Sequence, residues 1–397
     1  MTIVTITIMD ESPYPSRQDL LASIRSSLTS TPRRPLLHHL NADSSWLLQI
    51  PRPTSLPAPS SPHEPYKRRK LKSSRREGNS WYNILIDPWL AGSQIDFHRW
   101  FSQQWHRFES VCPDIHAVEE LIGKVEALTA QIAPADEFDV GLDPDESPVD
   151  QSTAGRISLV VISHEFTDHC HRETLLQIDK GVPIFATTKA VSIINSLKHF
   201  QSVTEVPHFV RKSSKRDTDW RSRSVSPLPE WLSISRLVSD WDAGYLHSAV
   251  MIAFNFNDNI YEANADPQIQ GNAAAEAVIY TPHGISASSL KHLQAADPPI
   301  RTLALLHGLF TVSLSKFGTI NLGARNGVEV QRLLEAKYWM RTHDEDKRGE
   351  GLIGWLLRKK RWTVEEAVKE YERDHAQDEK LKPVFVDLKN GQSTVLA

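Results

Sequence analysis

Between Val160 and His171 an apolar, β-branched run gives way to a dense set of metal-binding side chains. Val160, Val161 and Ile162 suit a buried strand, and Ser163 ends it. The next eight residues supply three histidines (His164, His169 and His171), Glu165, Asp168 and the thiol of Cys170. A strand end holds the loop that follows it rigidly. Imidazole and carboxylate are the usual ligands of a hard-to-borderline divalent cation. A metal site is therefore the leading reading of this stretch, and the strand beneath it is the one around which the chain is organised.

The remaining composition is that of an ordinary globular chain, and 397 residues can bury a large core. A net charge of -4 argues neither for a nucleic-acid protein nor for an acidic tail. The two cysteines, Cys112 and Cys170, form no spacing pattern, which excludes a disulfide framework and fits a reducing compartment. Residues 1 to 10 carry a short apolar run without a basic n-region, so no signal peptide is read, and no stretch is long and apolar enough to span a bilayer. The expected location is the cytoplasm or the nucleus.

The wording Ser-His-Glu-Phe-Thr-Asp-His-Cys-His, residues 163 to 171, resembles the His-x-His-x-Asp-His signature of the metallo-β-lactamase fold superfamily, in the form of a fungal and bacterial branch. The resemblance implies an α/β fold: a four-layer αββα sandwich of two mixed sheets with helices outside. That domain would cover 33 to 397 after an N-terminal extension at 1 to 32, with disordered insertions at 51 to 80, 133 to 155 and 211 to 228. One departure is visible at once: the second histidine of the signature is Phe166.

Taken in order, the extension has room for a short helix over Arg17 to Leu28. Leu36 to Ile50 reads as two strands about a turn at Asn41 to Asp43, and Trp81 to Leu90 contains their partner. The basic run Lys67 to Arg76 between them is either an import signal or a solvated charge run that keeps a long loop soluble. Phe97 to Phe108 is rich in rings, as a lid over an apolar substrate or as a helix packed on the sheet edge. After the motif, strands are expected at Pro183 to Thr187 and Val203 to Val210, with helices at Arg172 to Ile178 and Thr188 to Phe200. A surface loop at 211 to 230 leads to strands at Trp231 to Leu237, Ser248 to Phe256, Ala277 to Thr281 and Thr302 to Leu309. Ala324 to Glu335 reads as a helix and Ala336 to Glu345 as a strand with His343 at its tip. Gly351 to Lys359 and Thr363 to His375 read as helices, the second opened by a capping box. Pro383 to Leu388 and Ser393 to Leu396 flank Asn390-Gly391 as a closing hairpin.

Carried over residue by residue, the resemblance places His164, His247 and, as an additional candidate, His283 near one metal position. Asp168, His169 and His343 fall near the other, and Asp87, before Pro88, lies beneath them as a hydrogen-bond acceptor rather than a ligand. His283 stands where typical members have a carboxylate that bridges two ions. With Phe166 also replacing a ligand, one ion (zinc, or else manganese or iron) or none is expected, and the intact set of Asp168, His169 and His343, two imidazoles and one carboxylate with an open coordination position, is the one that would hold it. Such an ion acidifies water to a pKa of about 7. The hydroxide could then attack an ester, lactone, amide or phosphodiester, with Asp168 and His169 as the central catalytic pair. The function implied is a metal-dependent hydrolase of a small organic molecule. The alternative is a catalytically silent relative whose pocket has become a binding or scaffolding surface. A nuclease is a third and weaker reading, supported only by the basic loops at 67 to 76 and 211 to 223. His171 and His307 are taken as ordinary hydrogen-bonding histidines.

Overall fold

A computed structural model describes residues 25, 34–53, 80–96, 98–132, 156–210, 217–239, 246–255, 274–314, 318–351, 356–374 and 384–397. The expected N-terminal helix, the basic run at 67 to 76 and the acidic stretch at 133 to 155 lie outside the described residues.

The first half of the chain builds one sheet from β1 (Leu36–His39), β2 (Trp46–Pro51), β3 (Trp81–Ile86), β4 (Leu159–Ile162), β5 (Ile184–Ala186) and β6 (Val203–Glu205). The second half builds another from β7 (Leu232–Val238), β8 (Ser248–Phe254), β9 (Ala275–Thr281), β10 (Ile300–His307), β11 (Tyr338–Met340) and β12 (Val384–Val386). The last strand, β13 (Ser393–Val395), returns to the first sheet beside β1. The two orders are β13-β1-β2-β3-β4-β5-β6 and β12-β11-β10-β9-β8-β7. Pairing is antiparallel from β13 to β3 and between β7, β8 and β9, and parallel elsewhere. Both sheets are therefore mixed.

Alternation of side chains along each strand sorts the apolar residues into layers. Ile84, Val161 and Phe185 of the first sheet meet Ile252, Tyr280 and Leu306 of the second in a shared core. Their neighbours Leu85, Val160 and Ile162 point the other way, against Ile122 and Val125 of α1 (Ile115–Ile132) and Ile194 of α3 (Thr188–Ser196); α2 (Arg172–Leu175) follows the motif loop between them. On the far side Met251, Ile279 and Leu305 pack on Leu290 and Leu293 of a 3-10 helix (Ala287–Ala295) and on Val330 of α4 (Gly323–Leu334). A fourth cluster joins Val328 and Trp339 to Ala367 of α5 (Val364–Asp374). The strands of parallel pairs are covered on both faces, which is why β4 and β5 read as unbroken apolar runs. The arrangement is the αββα sandwich that the resemblance implies. Among the described residues no helix is long and apolar enough to cross a membrane.

Three expectations need correction. The aromatic segment is not a helix: Ser93–Ile95 and Gln103–Trp105 form a hairpin that continues onto Arg348–Glu350, with Trp100 near its tip 61% exposed. Leu357–Lys360, which overlaps the end of the helix expected over Gly351 to Lys359, is a strand paired with Thr311–Leu314, which also pairs with Thr319–Leu322. The closing hairpin does not form, because β12 pairs parallel with β11 in one sheet and β13 antiparallel with β1 in the other. Asn390-Gly391 is the turn at which the chain crosses between sheets, Gly391 supplying φ 81°. Within the stretch read as a surface loop, Asp219 caps a short 3-10 turn and Trp220 is buried in the outer core.

Candidate metal centre

In open α/β sheets, side chains that act on ligands gather beyond the carboxyl ends of parallel strands. Here both sheets send such ends to one rim. β3 delivers Asp87, β4 delivers Ser163 to His171, β9 delivers His283 and β11 delivers His343. The β1–β2 turn adds Asp43, and register fixes the level, since Ile86 pairs with Val161 and the Asp87 N–H donates to the Val161 carbonyl at 3.0 Å. Asp87 and His343 both have left-handed backbones, φ 43° and 57°, at the points where their strands turn into the site. Such conformations persist only where surrounding bonds hold them. The His343 N–H donates to the Asp43 carbonyl at 2.9 Å.

Two groups of ligand atoms converge within 4.8 Å: His164, His169 and His283, and then Asp168, His169 and His343. His169 belongs to both. His247 belongs to neither; its Nε2 lies 3.2 Å from the Ile320 carbonyl, so the structure does not bring it to the position expected. Phe166 contributes a ring beside His164 and His283, with centroids 6.5 and 6.1 Å away. His307 bonds the Gly308 carbonyl and Asn326 through its two ring nitrogens, while His171 bonds Thr174 through Nδ1 and has its Nε2 3.3 Å from the Glu173 carboxylate.

Hydrogen bonding settles which nitrogens can face a cation. Asp87 accepts from the Ser163 N–H at 2.7 Å, from the Ser163 hydroxyl, and from His169 Nδ1 at 2.7 Å. A carboxylate is an acceptor only, so His169 carries a proton on Nδ1 and, as the neutral ring, presents a lone pair at Nε2. His283 Nδ1 lies 2.8 Å from Asn321 Oδ1, which likewise leaves the His283 Nε2 lone pair free to face inward. These two Nε2 atoms are 3.2 Å apart. Two lone pairs at that separation need a cation between or beside them, whether a proton or a metal. Tetrahedral zinc with nitrogen arms of about 2.0–2.1 Å has an edge of roughly 3.3–3.4 Å between ligands. The donor set fits a metal on this test.

Asn321 also imposes a choice. Its Nδ2 lies 3.3 Å from His343 Nδ1. One carboxamide offers a single oxygen, so it cannot accept from both imidazoles at once. With Asn321 oriented this way His283 offers its inner lone pair, while His343 bears a proton on Nε2 and donates it to Asp168 Oδ2 at 3.0 Å. His164 Nε2 donates to the Leu246 carbonyl at 2.8 Å, and its Nδ1 faces the Ser163 hydroxyl at 2.8 Å. Binding an ion through Nε2 would require it to leave that carbonyl.

Electrostatics separates the residues further. Burial, reinforced by neighbouring histidines, holds His164 and His283 well below the ordinary imidazole range. Burial acts the same way on His169, yet the carboxylates of Asp168 and Asp87 outweigh it and raise its pKa. Burial would push Asp168 and Asp43 up. Instead Lys347, whose Nζ lies 2.8 Å from each, carries Asp168 well below the carboxylate range and Asp43 to about 2. Asp96, bonded to Thr167 and close to Asp168, is raised by burial and that neighbouring charge to about 6.

Sequence reasoning missed Lys347, Asp43, Asn321 and Ser163 as members of this network. Lys347 follows the strand-tip histidine by four residues inside His-Asp-Glu-Asp-Lys-Arg, a run that reads as ordinary surface charge.

No protein-family model matches the chain, and no curated protein matches it. Solved structures similar to it include a possible metal-dependent hydrolase from Veillonella parvula, 10% identical, with a TM-score of 0.45, covering 91% of this chain and 99% of that one. An isothiocyanate hydrolase from Delia radicum gut bacteria is 13% identical, with a TM-score of 0.45 and coverage of 91% and 98%. A metallo-beta-lactamase fold protein from Bacillus subtilis is 10% identical, with a TM-score of 0.38 and coverage of 91% and 99%.

Proposed function

We propose that this chain is a metal-dependent hydrolase of a small organic molecule, holding one divalent cation between His164, His169 and His283. The observation that carries the reading is the 3.2 Å approach of the His169 and His283 Nε2 atoms, each with its other ring nitrogen turned to an acceptor. Zinc suits three imidazoles, with manganese or iron as alternatives. When bound, such a cation supplies Lewis acidity and lowers the pKa of a coordinated water toward about 7.

The chain's own residues do the rest. Asp87 fixes the His169 tautomer, and Ser163 ties that carboxylate to His164. Asn321 fixes His283. Asp168 and His169 retain the central place in this reading, Asp168 as the anion at the mouth of the site with 9% of its side chain exposed. With His247 outside the group, three imidazoles leave a fourth tetrahedral position for water or substrate. A scissile ester, lactone, amide or phosphodiester is the substrate class in keeping with that centre.

Nucleic acid is a poor fit among the described residues, because Arg221 and Arg223 in the second basic loop are paired with Asp219 and Asp217. Metal analysis of the purified protein tests the proposal. Roughly one equivalent of zinc, manganese or iron that is lost on His169→Ala and on His283→Ala supports it. A metal-free protein of undiminished stability would instead favour a silent binding or scaffolding role. Turnover of a panel of ester, lactone, amide and phosphodiester substrates by the reconstituted protein then separates enzyme from metal-binding scaffold.

A further inference from the structure

Lys347 lies among the atoms that would hold a second ion. Its Nζ is 2.8 Å from Asp168 Oδ2, 2.8 Å from Asp43 Oδ2 and 3.4 Å from His343 Nε2. Two of these contacts are to ligand atoms of the second convergent group, Asp168 and His343. The ammonium is walled in: only 11% of the lysine side chain is exposed, Asp43 is fully buried, and the Trp89 ring lies 5.0 Å beneath the charge.

The chain around it is built to keep it there. Glu345 accepts from the Arg107 and Phe108 N–H groups at 2.7 and 3.2 Å and pairs with His106 Nδ1 at 2.6 Å, fastening the segment after His343 to the aromatic hairpin. Immediately after Lys347, Arg348–Glu350 pairs with Gln103–Trp105 in that same hairpin. Both ends of the short span carrying the lysine are thus fixed, and its side chain is aimed back into the rim.

From this placement we infer that Lys347 is the resident cation of the second position, a permanent ammonium standing where a second metal ion would otherwise be held. The lone pairs of Asp168 Oδ2 already accept from Lys347 and from His343 Nε2. A divalent ion binding through Asp168 and His343 would have to displace both protons and lie against a buried positive charge. Two buried carboxylates, Asp43 and Asp168, in turn require a cation whichever species provides it. The inference rests on the single-metal reading above and gives its cause in one side chain.

The decisive experiment is metal stoichiometry, read by elemental analysis after zinc loading and desalting, on the full chain and on Lys347→Met, both produced with zinc in the medium. Lys347→Met keeps the length of the side chain and removes its charge. The expected result is one zinc for the native chain and two for Lys347→Met, falling back to one when His343→Ala is added. Lys347→Arg, which retains a cation, should remain at one. A second readout is independent of stoichiometry: the melting temperature of Lys347→Met should fall in chelator and recover with zinc by more than the native protein's does.

If Lys347→Met holds one zinc and its stability gains no added metal dependence, the inference fails while the single-metal reading stands. If Lys347→Met does not fold even with zinc present, the inference also fails, since a divalent ion should have taken the place of the ammonium. Two zinc ions in the native chain, or none, would sink both.

Discussion

Replacing Asp87 by asparagine should weaken metal binding without touching a ligand. The backbone accommodates the change, because asparagine tolerates the left-handed φ of 43° found there. The carboxylate receives three protons: the Ser163 N–H on Oδ1, and the Ser163 hydroxyl and His169 Nδ1–H on Oδ2. A carboxamide has one oxygen. The backbone N–H of Ser163 cannot relocate its proton, so that oxygen must take the Oδ1 place and the NH2 group must face His169. His169 Nδ1 then becomes an acceptor, its proton moves to Nε2, and the lone pair aimed at His283 is lost. Changes of this kind behind a metal-binding histidine cost about 10- to 100-fold in affinity, or about 1.4–2.8 kcal/mol. The metal-free fold should lose about 1–3 kcal/mol from the two altered charge-assisted bonds. Zinc affinity by competition with a chromophoric chelator measures the first, and urea unfolding in chelator the second. A zinc affinity within about twofold of native for Asp87→Asn would refute the tautomer argument.

Burial lowers both His38 and His39 from 6.5 to about 4, so the stability they contribute is complete above 6.5 and is lost as pH falls through about 4, on the order of 3 kcal/mol each; urea melts between pH 7 and 4 should show this fall, and a flat profile would contradict it. Gly327→Ala should destabilise by about 1–3 kcal/mol or more despite its helical gain, because the new methyl would overlap Trp339 Cζ2 and lie 2.9 Å from its Cη2 and 3.1 Å from His307 Nδ1; urea unfolding measures it. In thermal melts Thr363→Ala should cost about 1 kcal/mol, since Thr363 Oγ1 accepts from the Glu366 N–H at 3.1 Å while Glu366 returns the bond to the Thr363 N–H at 2.9 Å. Asn321→Leu should lower zinc affinity at least tenfold by freeing the His283 tautomer, with chelator competition again the measurement.

Strand ends were the legible part of this chain. Runs such as Trp81 to Ile86 and Val160 to Ile162 carry enough β-branched and aromatic bulk to be read as strands, and the acceptor or imidazole that follows each marks the rim. The capping box at Thr363 was legible for the same reason, as a local bond pattern. What failed was whatever depends on distant partners. Pro383 to Leu396 has the turn and flanks of a hairpin, yet its two halves find better edges in opposite sheets, at β11 and β1. Leu357 to Lys360 has helix-forming residues but pairs with Thr311 to Leu314. The long helix α1 carries a signal of the local kind, since Val118, Leu121, Ile122 and Val125 repeat at helical spacing and are buried. His247 falls outside both convergent groups because a residue's place before a strand does not fix the direction of its ring, which here turns to Ile320. Lys347 could not be found from pattern, since its meaning comes from Asp43 and Asp168, both far earlier in the chain.

The same bonds that order the centre also stitch the two sheets together at this rim, and that ties metal content to the stability of the whole sandwich. Asp43 and Ser44 belong to the first sheet's opening turn, and Tyr280, Thr342 and His343 to the second sheet. The Tyr280 hydroxyl donates to the Ser44 carbonyl at 3.1 Å, the Thr342 hydroxyl and the His343 N–H both reach the Asp43 carbonyl, and Trp46 Nε1 donates to Thr342 at 2.9 Å. Asp43 and Asp168 share Lys347 across the gap, and His169 meets His283. A cation bound between His169 and His283 therefore adds a crosslink between strands β4 and β9, from opposite sheets, and should stabilise the native state by mass action, about 2.7 kcal/mol at a free metal concentration of 100 times Kd. Because Lys347 already crosslinks the second position without metal, removal of the ion should lower the melting temperature and leave the fold intact. A metal-free chain that unfolds outright would show the ammonium to be a weaker bridge between the sheets than its contacts require.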